Sequence, residues 1–393
     1  MAFKPLQAHH SIYNDFGRKT RLTVFHSESV FIMRKILIFN PYGIGDVLFT
    51  TPLIHNLKEH LANVVLDYIC NERVYSIMKD NHFLNKITIY EKDQWRDIGK
   101  RSKLEFIKKF FNFIMEIRHE RYDVLFDLSM NSKYGFFLSL TGIKKRIGFD
   151  YHNRGRFLTD KLPLPAGFVS KHVARYNLEL LKFLDITPLD YPMDIYSAVD
   201  KNAILKKIYG LDNVLSGKEY IIICPGSGDS WQKTAFYKRW PKEYYLELCR
   251  ELLNNYDINI LVCGSKSELD ICKYVTDNLG ERCINLCGSL ELDEFVPLIS
   301  GSEFIITNDG GPFHIAQALG KFAFAFFGPV DDKVYGAYPD ESKTYIFKKD
   351  ITCRPCYRSF KFTGCSNDRK CLSLITVKEA LNAVASKFAN QLK

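Results

Sequence analysis

From Lys35 onward the chain alternates strand-like and helix-like segments, breaks once, and alternates again; nothing else in its 393 residues restricts the fold as far. RKILIFN reads as a buried strand and DVLFTTPLIHNLKEH as the helix it feeds. VVLDYIC, YDVLFDLS and KKRIGFD read as further strands, with a long basic helix pattern ahead of YDVLFDLS. Strands separated by helices pair in parallel, and a parallel sheet needs helices on both faces to bury it. A softer stretch, TPLDYPMDIYSAVDKN, carries two prolines and scattered charge. The alternation then restarts with KEYIIICPGSG and runs through INILVCGS, CINLCGS and EFIITNDGG to KFAFAFFGP.

The expected fold is α/β, two Rossmann-like domains with parallel sheets facing across a cleft. A boundary is expected near residues 195–215, giving spans of 33–200 and 201–375 and a final amphipathic helix over 376–393. The first 32 residues lack the uninterrupted apolar core of a secretory signal, so they read as an extension of a cytoplasmic protein, with Met33 a second candidate start. No apolar run approaches the roughly 18 residues of a membrane-spanning helix.

Ligands of such sheets bind beyond the carboxyl ends of the strands, which singles out three loops. In TNDGGPFHIAQALG, Gly310 and Gly311 allow a tight turn, Pro312 suits a first helical turn and Gly320 a helix end. The turn offers free N–H groups to an anion. His314 lies within reach of a bound phosphate, and Asp309 either caps the helix or holds a sugar hydroxyl. In CPGSGDSWQKTAFYKRWP, the Gly226-Ser227-Gly228 turn offers further N–H donors, with Lys233, Lys238 and Arg239 just beyond. Neither loop has the G-x4-G-K-[ST] spacing of a P-loop.

The third loop, NPYGIGDVLFTTP, begins like a G-x-G-x-x-G dinucleotide fingerprint, but its third position holds Leu48 and Asp46 would repel a pyrophosphate. Asp46 at a helix start is explained by capping alone. Set opposite a diphosphate grip in the other domain, it also suits inverting sugar transfer: one carboxylate takes the proton of an acceptor hydroxyl as a nucleoside diphosphate leaves from the opposite face. No D-x-D pattern occurs in the chain. Charge neutralisation is therefore expected from Lys238, His314 and N–H groups, with no metal and no cofactor.

A net charge of +9 favours an anionic partner: phosphosugar, acidic lipid or nucleic acid. Nothing resembles a nucleic-acid module, so that partner is set aside. Part of the charge lies in RDIGKRSKLEFIKKFFNFIMEIRHERYD, which reads either as a solvated basic helix face or as a surface for a phosphorylated or membrane-borne substrate. Of eleven cysteines, four cluster as Cys353, Cys356, Cys365 and Cys371. Their C-x2-C-x8-C-x5-C spacing leaves a structural metal, a labile disulfide or unbonded thiols open.

Together GDVLFTTP, YDVLFDLSMNSK, KRWPKEYYLEL, TNDGGPFHIAQALG and FFGPVD resemble glycosyltransferase family 9, the lipopolysaccharide heptosyltransferases, from about Lys35 to the last helix. The resemblance implies a GT-B fold, an N-terminal acceptor domain and a C-terminal domain for an ADP-heptose donor. It implies Asp46 as catalytic base, and Ser227, Lys238, Asp309, Gly310, Gly311 and His314 as donor-binding residues. It further implies that Lys100, Arg101, Lys103 and Lys133 meet an anionic, lipid-linked saccharide acceptor, with peripheral contact at the inner membrane. Two departures bear on the sugar: Asp309-Gly310-Gly311 stands where the family commonly has Asp-Thr-Gly, and SWQKTAFY lengthens the loop before Lys238. The alternatives are another hexose on UDP or GDP, a nucleotide-sugar epimerase, and a non-catalytic binding protein.

Overall fold

β1 (Lys35–Phe39, KILIF) is buried along almost its whole length, as a strand covered on both faces must be. The computed structural model describes residues 34–207, 219–228 and 231–388. The extension, residues 389–393 of the final helix and residues 208–218 of the expected boundary lie outside the described residues.

β1 lies at the centre of a parallel sheet with β2 (Val65–Cys70), β3 (Lys86–Ile89), β4 (Val124–Asp127), β5 (Lys145–Asp150) and β6 (Asp160–Pro163), in the order β3-β2-β1-β4-β5-β6. A second parallel sheet uses β7 (Tyr220–Cys224), β8 (Asn259–Val262), β9 (Cys283–Asn285), β10 (Phe304–Asn308), β11 (Phe322–Phe326) and β12 (Thr344–Phe347). Its order is β12-β11-β10-β7-β8-β9. Each sheet starts from a central strand, winds one way, then returns to wind the other. The reversal falls between β1 and β4 in the first sheet and between β7 and β10 in the second. Adjacent helices diverge at such a switch point and leave a crevice. The three loops singled out in the sequence follow β1, β7 and β10.

The edge strands β3, β6 and β12 escape the sequence reading. Each has only four residues and is half exposed, and β6 ends in Pro163, so none shows the continuous apolar run of a central strand. DVLFTTPLIHNLKEH does not form one helix. α1 (Ile44–Leu48) stops, and α2 (Thr51–His60) begins afresh with Pro52 in its first turn. The hydroxyls of Thr50 and Thr51 donate to the carbonyls of Val47 and Leu48, at 2.6 and 2.9 Å, closing α1 from outside. The basic helix also divides. α3 (Lys92–Arg101) ends at Ser102, whose hydroxyl accepts from the Glu105 N–H and starts α4 (Lys103–His119). After β4 comes α5 (Ser132–Ser139), capped by the Asn131 side chain.

The second sheet is held by aromatic packing. Trp240, fully buried, stacks on Phe326 at 4.2 Å, meets Tyr245 edge-on and donates its indole N–H to the Ile375 carbonyl. α6 (Lys242–Asn255) follows it directly. After α7 (Gly311–Ala318), the final helix α8 (Val377–Phe388) packs Phe388 against Phe304 and Phe322 of this sheet. Trp240→Ala is expected to cost about 3–5 kcal/mol, the usual range for deleting a buried aromatic. Its thermal or denaturant midpoint should fall accordingly, and an unchanged midpoint would show that this stack does not anchor the sheet.

Candidate active site

α1 and α7 start at the carboxyl edges of the two sheets and meet through their first turns. A Cβ on Gly45 would stand 2.7 Å from the His314 ring, and a Cβ on Gly311 would stand 2.8 Å from the Ile44 side chain. Both glycines are therefore needed for close approach. Gly45 makes room for a side chain of the other half of the molecule, and no phosphate is required to explain it. Phe49 lies edge-on to both His314 and His172, each at 4.8 Å, and His172 stacks on Tyr338.

Asp46 sits in the first turn of α1, its carboxylate accepting from the Gly43 N–H at 3.3 Å. Capping is thus real but uses one oxygen weakly. Buried Asn40, at the end of β1, donates to the Asp46 carbonyl and ties the loop to the sheet. The side chain is open to solvent yet walled by protein. That crowding raises the carboxyl to about 6, against the Gly43 N–H and the positive charge of Lys238.

From the second sheet, Lys238 Nζ lies 2.7 Å from Asp309 Oδ2, with both side chains more than nine-tenths buried. Asp309 follows β10 directly and puts its carboxylate on Lys238; the start of α7 has no side-chain cap. The ring of Trp231 covers the ammonium from 5.1 Å. His314 Nε2 stands 4.0 Å from the other Asp309 oxygen. Burial lowers the imidazole to about 4; Asp309 works against this and Lys238 adds to it. At neutral pH His314 is uncharged, so it has a hydrogen bond to offer and no charge. The positive charge expected of it is therefore missing at neutral pH.

The loop after β7 departs most from expectation. The N–H groups of Ser227 and Gly228 both donate to Glu268 Oε1, at 2.7 and 2.8 Å. The other Glu268 oxygen accepts from the N–H and hydroxyl of Ser265. The Ser227 hydroxyl donates to the Ala235 carbonyl and faces Arg239 Nε. An internal carboxylate thus fills the anion nest expected for diphosphate, and Ser227 is buried and engaged. Glu268 was legible only as the last residue of the Ser-x-x-Glu capping pattern at 265–268. Asn308 joins the two loops, donating to the carbonyls of Pro225 and Gly226 and accepting from the Trp240 N–H. A Cβ on Gly310 would lie 3.1 Å from the Ser227 carbonyl, so these loops touch.

Asp127, at the end of β4, is a second site carboxyl that sequence reading passed over. Burial raises it to about 6, opposed by the Ser129 hydroxyl and N–H. Tyr42 donates to the Ser129 carbonyl and lies within electrostatic reach of both Asp46 and Asp127.

The structure therefore brings together Asp46, Lys238, Asp309, Gly310, Gly311 and His314. Lys133 is exposed in the first turn of α5. Lys100, Arg101 and Lys103 stand exposed where α3 meets α4, Lys100 3.9 Å from Asp97 and Arg101 paired with Glu105 at 3.1 Å. The four clustered cysteines line one small cavity and carry no disulfide. Among the described residues, no three His, Cys, Asp or Glu side chains stand in metal-holding geometry. Nor is any described helix long and apolar enough to cross a membrane.

The family model of glycosyltransferase family 9 (heptosyltransferase) matches residues 110–365. Lipopolysaccharide heptosyltransferase 2 of Escherichia coli is 25% identical over 303 residues, 75% of this chain and 83% of that one. Among solved structures, a family 9 glycosyltransferase of Veillonella parvula superposes with a TM-score of 0.75 at 18% identity, covering 90% of this chain and 96% of that one. The E. coli ADP-heptose lipopolysaccharide heptosyltransferase II superposes with a TM-score of 0.68 at 20% identity, covering 90% and 98%. These similarities agree with a GT-B arrangement of the two sheets.

Gly45→Ala is expected to cost about 1–3 kcal/mol by overpacking against His314. Trimming His314 to Ala in the same chain should return part of that loss, read as coupling in a double-mutant cycle. Strict additivity would remove the contact from the account.

Proposed function

Because this chain belongs to glycosyltransferase family 9, the heptosyltransferases, we propose that it moves a heptose from ADP-heptose to a lipopolysaccharide core or related surface saccharide, inverting the anomeric centre without a metal. The donor and the acceptor class follow its relatives, lipopolysaccharide heptosyltransferase 2 and an ADP-heptose lipopolysaccharide heptosyltransferase II. The observation that carries the reading is one solvent-open carboxylate, Asp46, raised to about 6, in one half of the molecule, with the Lys238 ammonium in the other half close enough to act on it.

Transfer then runs in one displacement. The acceptor oxygen bonds to the anomeric carbon as the bond from that carbon to the diphosphate oxygen breaks. The acceptor proton passes to Asp46, and the electron pair leaves with the diphosphate as ADP. Lys238 offsets the charge that grows on the leaving oxygens. The absence of any D-x-D pattern motivates the metal-free form. Asp309 is held by Lys238 and is poorly placed to act as a second nucleophile, which favours inversion over a covalent intermediate. Lys133 and the basic turn from Lys100 to Lys103 would meet an anionic, lipid-linked acceptor, placing the enzyme on the inner face of the inner membrane. Another hexose on UDP or GDP keeps the mechanism and changes only the donor pocket.

Calorimetric titration with ADP, UDP and GDP, with and without chelator, should show preference for ADP unaffected by chelator. Preference for UDP or GDP would move the donor to the second reading, and no binding at all would sink the transferase reading. A base must be ionised to act, so kcat/KM should climb as pH rises through about 6 and level off above it. Asp46→Asn should abolish transfer and leave ADP affinity within a few fold. Turnover by that variant at the wild-type rate would remove Asp46 from the chemistry.

A further inference from the structure

α4 has two apolar faces, and the domain core uses one. Phe106, Phe110, Phe113, Ile114 and Ile117 turn inward among Trp95, Tyr90 and Phe137. Leu104, Ile107 and Phe111 turn outward, 78%, 59% and 60% exposed. Their spacing of three and four residues puts them in one stripe. Scattered single exposed apolar residues are ordinary on a protein surface; three bulky ones in a row on one helix are not.

Charge surrounds this stripe. From Arg96 to Lys109 the chain carries six cations against two acids. Of the cations, Lys103 and Lys108 neighbour Leu104 and Ile107 directly and are exposed. Apolar side chains bordered by lysines on an exposed helix match the interfacial region of an anionic bilayer, which takes the apolar groups among its acyl chains and the cations at its headgroups. A protein partner would want the apolar groups without this surplus of one sign at the centre of the contact.

The stripe also lies on the relevant side of the fold. The carboxyl end of α4 is tied to the amino edge of the first sheet, where Lys86, the first residue of β3, pairs with Glu116 and Glu120. Phe113 already packs on Tyr90, just past the carboxyl end of β3. The stripe from Leu104 to Phe111 therefore lies at or beyond the carboxyl edge, the edge from which the Asp46 loop springs. A neighbouring exposed aromatic, Phe136, rides on α5, which packs on α4 through Phe137 and Phe110.

We propose that the exposed Leu104–Ile107–Phe111 stripe, with Lys103 and Lys108 beside it, is a docking surface for an anionic phospholipid bilayer that holds the acceptor side of the cleft against the membrane. This rests on the reading above that the acceptor is lipid-linked, and it adds the part of the chain that touches lipid.

The test is co-sedimentation of the full chain with vesicles of phosphatidylethanolamine, with and without phosphatidylglycerol. The wild type should bind only the phosphatidylglycerol vesicles, and less as salt rises. A triple variant, Leu104→Gln, Ile107→Gln and Phe111→Gln, should bind about tenfold less or weaker with its melting temperature unchanged. A single Phe111→Trp variant should shift its emission to shorter wavelength on vesicles. Undiminished vesicle binding by the triple variant, or an unshifted emission, would overturn the proposal. So would a wild-type dimer that the triple variant converts to a monomer, since a second copy would then own the stripe. Binding by the wild type only after removal of residues 1–32 would assign the stripe to the chain's own extension and overturn it as well. Transfer assays separate this from the catalytic reading. The triple variant should keep its rate on a delipidated acceptor fragment and lose it on vesicle-borne acceptor. A wild type inactive on both acceptors would sink the functional reading while vesicle binding still decided the docking surface.

Discussion

Two helix beginnings, one from each sheet, touch because Gly45 and Gly311 carry no side chains, and the architecture of the site follows from that contact. Each helix starts at the point where its sheet reverses winding direction, so each brings a loop from a crevice. Only when α1 and α7 meet does a carboxylate held by the first sheet come into the field of an ammonium held by the second. Neither half holds both charges alone. Burying His314 at the contact also fixes its state: packed against Gly45 and Phe49, it is too dry to hold a proton at neutral pH. Lys238 is therefore the cation that acts on Asp46 across the contact.

Much of this was legible in the sequence because central parallel strands and the loops after them leave strong local marks. The runs ILIF, YIIIC and FII are apolar throughout, and each is followed within a few residues by Gly or Asn. Those marks located the loops holding Asp46 and Asp309, which depend on backbone position more than on long-range partners. The edge strands carried no such mark, since half of each faces solvent. The break between α1 and α2 was written in Thr50, Thr51 and Pro52, but an apolar period running through them outweighed it.

What the sequence hid was mostly pairing. GSG after a strand looks like an anion nest, and it is one, yet the anion comes from Glu268, forty residues further on. Asp309 looked like a helix cap or a hydroxyl holder and is found on Lys238. Asp127 reads in the sequence only as part of a strand, and burial, which raises its carboxyl, leaves no mark on the residue itself. For Ser227 and Asp309 the residue type was informative and the partner was not, because a partner far along the chain has no fixed spacing.

The Lys238–Asp309 pair has a consequence for which molecules the site admits. At rest the ammonium is matched, so the pocket is not a bare positive hole open to every small anion in the cell. In the donor site proposed above, an incoming phosphate would draw Lys238 partly away and leave a buried carboxylate short of its partner, a loss of about 3–5 kcal/mol when such a pair is simply broken. Sulfate, which carries no proton at neutral pH, has nothing to give Asp309 in exchange. A molecule that carries sugar hydroxyls beside its phosphates can donate to the carboxylate as it takes the lysine. On the proposed donor reading, the ion pair is thus a two-key lock, opened by a ligand that brings both a negative charge and a hydroxyl group.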